Sequence, residues 1–146
     1  MKILIDTNIL VYFFDQNEPV RQQVAISVLK AVNHSRQGWL SAQCLAEFSN
    51  IALNRLKPAL LPEAVIAHIR DFATEYAIIP LTDPVIQEAL RGVRDYQFAY
   101  YDAQIWAAAR LHQIPVLFSE DFNPGVYGGV RVVNPFAPAF VLEDWL

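Results

Sequence analysis

The chain has 146 residues, 54% of them hydrophobic, with a formal charge of −4 and a single cysteine, Cys44. This length fits one domain spanning residues 1–146, which should bury roughly two-thirds of its unfolded surface. The acidic balance excludes nucleic-acid binding through bulk positive charge, and the lone cysteine excludes an internal disulfide and fits a reducing, cytoplasmic setting.

The opening run, MKILIDTNILVYFF, is apolar, but Asp6 interrupts it after five residues, too soon for a signal-peptide core or a spanning helix. No membrane association is expected. Lys2–Ile5 reads as a short buried strand, and the following Asp-Thr-Asn as a turn or helix start. Apolar residues recur at helical spacing from about Pro19 to Asn33. Gly38-Trp39-Leu40 reads as a short strand, and Ser41 as the N-cap of a helix running to about Leu56, before Pro58. Pro62 opens another helix, to about Thr74. Tyr76–Pro80 reads as a strand, Asp83-Pro84 starts a helix to about Val93, and a further helix spans about Tyr100 to His112. Strands follow at Val116–Phe118 and Val130–Val133, and the tail APAFVLEDWL carries an apolar patch able to dock on the body. The alternation predicts an α/β fold: a three-layer α/β/α sandwich on a mostly parallel sheet. A mean hydropathy of +0.23 is high for a small monomer, and the excess reads as apolar surface held for a partner or for self-association.

Four acids fall where such a fold gathers side chains. Asp6 and Asp121 follow strands, Glu47 lies within a helix, and Asp102 opens an alanine-rich helix. Residues just past the carboxyl ends of parallel strands line one crevice. Carboxylates sharing that crevice repel one another unless a cation lies between them, and Mg²⁺ or Mn²⁺ prefers oxygen ligands. Each acid also has a plainer reading. Asp6 alone is a good N-cap, and Glu47 belongs to a polar stripe with Gln43, Asn50 and Asn54 that reads equally as a solvated face. Asp102 complements a helix dipole, and Asp121 sits in a polar turn beside Glu120, a weaker candidate for the same position. Thr7, Asn8, Asn50 and Ser119 are placed to orient these carboxylates through hydrogen bonds. Arg55 and Lys57 are candidate contacts for a phosphate backbone, and Tyr12, Tyr100 and Tyr101 for stacking on bases.

Other chemistries lack their residues. His34, His68 and His112 show no zinc spacing, and no phosphate-cradling glycine loop or Gly-x-Ser-x-Gly elbow occurs. A HAD-type phosphohydrolase also opens with a strand and an Asp, but it needs a second Asp two residues on, where this chain has Asn8.

In order and spacing, ILIDTNILVYFFD, AEFSNIALNR, YYDAQIWAAARLHQIPVLFSEDF and GVRVVNPF resemble the PIN-domain ribonucleases, and most closely the VapC-type toxins of toxin–antitoxin pairs. The resemblance covers nearly the whole chain and carries the family's acids onto Asp6, Glu47, Asp102 and Asp121, with Ser119 where Thr is frequent. It implies a Mg²⁺- or Mn²⁺-dependent endoribonuclease acting on structured RNA, a homodimer, and a cognate antitoxin that docks through an apolar segment. A PIN nuclease of RNA processing without an antitoxin, and a non-catalytic PIN-like module binding RNA or a partner, are the alternatives.

Overall fold

A computed structural model describes residues 1–146. In chain order the elements are β1 (Ile3–Ile5), α1 (Thr7–Phe14), α2 (Pro19–Ser35), β2 (Gly38–Ser41), α3 (Ala42–Asn54), α4 (Pro62–Glu75), β3 (Ala77–Ile79), α5 (Asp83–Tyr96), α6 (Tyr100–Leu111), β4 (Val116–Phe118), β5 (Gly125–Tyr127) and β6 (Val130–Val133), followed by a 3-10 turn at Leu142–Trp145. The strands form one sheet in the order β3-β2-β1-β4-β6-β5. Every neighbouring pair is parallel except β5 and β6, which form an antiparallel hairpin.

Local chemistry explains the boundaries. All three residues of β1 are fully buried, because a central parallel strand is covered on both faces and tolerates no polar alternation. Ser41 caps α3 by accepting the Cys44 N–H at 3.1 Å, and Thr82 caps α5 by accepting the Val85 N–H at 3.4 Å. Pro19 and Pro62 lie in the first turns of α2 and α4, where a missing N–H leaves no bond unmade.

The chain leaves β1 for β2 and then β3 on one side, and returns through α5 and α6 to β4 on the other side of β1. Right-handed crossovers in opposite directions put their helices on opposite faces, which yields the three layers. Phe14, Phe48 and Phe72 meet edge-on or tilted between α1, α3 and α4. On the other side Trp106 of α6 packs against Tyr96 and Phe98 and donates its indole N–H to the Tyr127 carbonyl at 3.0 Å. The tail docks on the body: Phe140 and Trp145 approach Phe118 edge-on, at 5.6 and 6.3 Å between ring centres. No helix is long and apolar enough to cross a membrane.

Two features depart from the sequence expectations. Strand β5 is additional, and its signal was the Gly128-Gly129 pair. Both residues have positive φ (54° and 83°), the backbone of a two-residue hairpin turn. Helix α5 continues to Tyr96, three residues beyond Val93, and closes on Gln97 in the left-handed conformation.

Helix α5 buries Val85, Ala89 and Gly92, one stripe of a 3.6-residue period. A β-carbon at Gly92 would lie 2.7 Å from the Trp106 ring, so glycine is what lets the two helices approach. Because Trp106 is locked in the core, Gly92→Val should cost about 2 kcal/mol through overpacking. Urea unfolding of the variant measures this.

Candidate metal centre

The crevice between β1 and β4 lies where the crossovers diverge, the topological switch point at which open α/β sheets bind ligands. Asp6 follows β1 directly and its N–H bonds the Phe118 carbonyl at 3.0 Å, which ties the two strand ends together. Ser119 to Asp121 follow β4, Asp102 lies in the first turn of α6, and Glu47 sits midway along α3. One carboxylate oxygen from each of Asp6, Asp102 and Asp121 falls within 4.8 Å of the other two. Glu47 lines the same cavity, of about 240 Å³, with Thr7, Asn8 and Tyr12, but stands outside that tight group.

Hydrogen bonds fix the carboxylates. Asp6 accepts the Thr7 N–H at 2.6 Å and the Ser119 hydroxyl at 2.6 Å. The Ser119 oxygen in turn accepts the Asp121 N–H at 3.0 Å, so one side chain holds the ends of both strands in register. The Thr7 hydroxyl donates to Glu47 at 2.9 Å, and the Asn8 amide donates to Asp121 at 3.0 Å. Asn50 lies elsewhere. Its side-chain oxygen accepts from Asn54 at 2.8 Å and the residue is exposed, because a neighbouring amide one turn along the helix competes for it. Gln43 takes the place expected for Asn50. It approaches Glu47 at 3.4 Å, donates to the Tyr101 carbonyl at 2.9 Å, and accepts from Gln104 of α6 at 2.7 Å. Its signal was its position one turn before Glu47 on the polar stripe, and the sequence reading assigned it no role.

The adjacent acids diverge. Glu120 accepts from the Tyr12 hydroxyl and pairs with Arg21 at 3.2 Å, while Asp121 faces Asp6 and Asp102. Arg21 also lies over the rings of Tyr12 and Phe136, at 5.5 and 5.8 Å. Arg55 and Lys57 are both exposed, beyond the last turn of α3.

Burial and repulsion set the charge state. Burial, with the nearby charges of Asp121 and Asp102, pushes the Asp6 carboxyl up to about 7 against the lowering effect of its bond from Ser119. Burial, then Asp121 and Glu47, raise Asp102 to about 6. Cys44, fully buried beside Asp6, has its thiol pushed up to about 12 by burial and then by the Asp6 charge, so it stays protonated and unreactive. The residues fit a divalent cation. Their donors are hard oxygens, the oxygens converge, and the side-chain oxygen of Asn8 is buried without a hydrogen-bond partner in the same cavity.

The architecture is therefore a doubly wound α/β sheet with a carboxylate cluster at its switch point. The model of the PIN domain family matches residues 3–124, and the chain belongs to that family. A search of curated proteins finds no match. Among solved structures, a toxin–antitoxin complex from Klebsiella pneumoniae is similar at 25% identity, covering 92% of this chain and 98% of that one, with a TM-score of 0.67. VapBC2 from Rickettsia felis, solved with a promoter DNA fragment, is 15% identical over 92% and 98% of the two chains, with a TM-score of 0.63. VapC20 from Mycobacterium tuberculosis, a sarcin–ricin loop cleaving toxin, is 17% identical over 80% and 87%, with a TM-score of 0.60. The fold is that of the PIN toxins.

A carboxyl whose pKa rises on folding, here from 3.8 to about 7 for Asp6, binds its proton more tightly in the native state. Its contribution to stability is fully present below the unfolded value and is lost as pH rises through the folded one. In chelator at pH 8, Asp6→Asn should therefore melt above the wild type by about 3 °C or more, and the gap should close as pH falls to 4. Melting curves across this range check it. A gap that widens on acidification contradicts the charge account.

Proposed function

We propose that this chain is a Mg²⁺- or Mn²⁺-dependent endoribonuclease, the toxin of a type II toxin–antitoxin pair, acting in the cytoplasm as a single PIN domain over residues 1–146. The observation that carries the reading is the approach of Asp6, Asp102 and Asp121 to within 4.8 Å at the switch point of a PIN-family chain.

In this reading Asp6, Asp102 and Asp121 hold the ion, and Glu47 reaches it directly or through water. A divalent ion bound there supplies the positive charge that acidifies water and offsets the charge of a phosphodiester. The protein's own groups hold the arrangement. Ser119 sets the spacing of Asp6 and Asp121, Thr7 links Asp6 to Glu47, and Asn8 orients Asp121. Arg21 and Tyr12 occupy Glu120 and keep a fifth acid from competing. Arg55 and Lys57 are the proposed contacts for the RNA backbone, because both are exposed and neither forms a salt bridge.

The similar structures include a toxin–antitoxin complex and an RNA-cleaving toxin, which supports the toxin reading and a protein antitoxin as partner. Exposed apolar side chains on α4 and α5 (Ile66, Ile86 and Leu90) support both antitoxin docking and a homodimer, since such patches mark protein interfaces.

With Mn²⁺, the purified wild type should cleave structured RNA and show a metal-dependent rise in melting temperature. Asp6→Asn and Asp102→Asn should lose the thermal shift and about a hundredfold or more of the cleavage rate. Wild-type cleavage by either variant, or a wild type indifferent to Mn²⁺, overturns the reading. Ser119→Ala should retain the fold and weaken Mn²⁺ binding about tenfold or more, as removal of a ligand-orienting hydrogen bond does. Titration followed by thermal shift measures it.

A further inference from the structure

A second cavity opens beside the acids, and the two share Asp102 and Asp121 as a common wall. It holds about 180 Å³ and is lined by Tyr96, Gln97, Phe98, Phe122, Asn123 and Tyr127. The loops that make it are the loops that deliver the acids. Gln97 to Ala99 join α5 to α6 just ahead of Asp102, and Phe122 and Asn123 follow Asp121. The aromatic side is a set of interlocked rings. Phe98 meets Phe122 and Tyr127 edge-on at 5.1 and 5.0 Å, and Tyr96 meets Tyr127 at 5.2 Å. The Tyr127 hydroxyl is spent on the Asn123 carbonyl at 2.8 Å. Tyr96 is still 37% exposed, and Gln97 and Asn123 are exposed residues at the same opening, the Gln97 amide donating one N–H to the Arg94 carbonyl at 3.2 Å and keeping its oxygen free.

An aromatic wall with amides at its rim is the chemistry that receives an unstacked base: the rings stack on its face and the amides hydrogen-bond its edge. We propose that this cavity is a subsite for the nucleobase next to the scissile phosphate, with Tyr96 as the stacking residue and Gln97 and Asn123 reading the base edge. The inference rests on the nuclease reading and adds a specificity determinant to it. The substrate class follows from position as well as lining. A phosphodiester held over Asp102 and Asp121 has its neighbouring base at the mouth of this cavity, and the space suits one ring system. The site selects RNA in which that nucleotide is free to leave its helix, such as a loop or a bulge.

The test uses a short single-stranded RNA carrying one 2-aminopurine, moved position by position, with the wild-type acids filled by Ca²⁺, an oxygen-seeking ion larger than Mg²⁺, so that the strand stays intact. Fluorescence should be strongly quenched at one position only. Tyr96→Ala should remove that quenching, and Tyr96→Phe should keep it. With Mn²⁺ in place of Ca²⁺, Tyr96→Ala should raise KM about tenfold, the size of one lost stacking contact, and flatten base preference on one side of the cut, while kcat changes little. Asn123→Ala, at an exposed position, should alter base preference without affecting the melting temperature. RNA that binds by anisotropy without position-specific quenching, quenching that ignores Tyr96, or unchanged KM and base preference in folded Tyr96→Ala each overturn the subsite. Tyr96-dependent quenching together with a wild type that cuts no RNA leaves the subsite standing and removes the nuclease reading. Cleavage without Tyr96-dependent quenching does the reverse.

Discussion

Burial of acidic side chains, sharpened by their mutual repulsion, is the constraint around which this molecule is arranged. Asp6 is almost fully buried and shares its surroundings with Asp102 and Asp121. Like charges this close in a low-dielectric setting cannot all ionise without compensation. The native state answers with donors: a backbone N–H and a hydroxyl on Asp6, another hydroxyl on Glu47, an amide on Asp121. These soften the strain without removing it, since Asp6 still lies well above an ordinary carboxyl. The residual strain is an affinity for positive charge built into the fold. A site of this kind gives up stability in the free protein to gain it on binding.

The topology makes that crowding possible. Asp6 and Ser119 stand at the ends of adjacent parallel strands, joined by the bond from the Asp6 N–H to the Phe118 carbonyl. Asp102 comes from the helix that precedes β4, and Glu47 from the helix that follows β2. Four separate segments thus meet at one end of the sheet, and the packing that aligns them lies largely beneath, in Phe48, Trp106 and Phe118. The close pass of Gly92 over Trp106 belongs to the same task, because α5 and α6 carry the loop ahead of Asp102.

Much of this was legible from local pattern. The central strands announce themselves as short apolar runs, and Ser41, Pro19 and Pro62 mark helix starts through their own capping and ring chemistry. The acids could be singled out because each lies at an element boundary or on a polar helix stripe. What local pattern misses is competition between partners. Asn50 stands one turn from Glu47 yet bonds Asn54, while Gln43 reaches both Glu47 and a glutamine 61 positions away. The divergence of Glu120 from Asp121 depends on Arg21, 99 residues earlier in the chain. Contacts of that range have no period to read. Strand β5 was a different kind of omission, since Gly128-Gly129 between two β-rich segments is a hairpin signal in its own right.

The sheet ends on β3 and β5, each of three residues. Pro80 directly follows the first and Pro124 directly precedes the second. A proline offers no N–H to a foreign strand, and a three-residue ladder gives an intruder little to extend. In a chain more than half hydrophobic, blunt and proline-flanked borders let apolar surface serve selective association while the exposed backbone resists polymerising with its own kind.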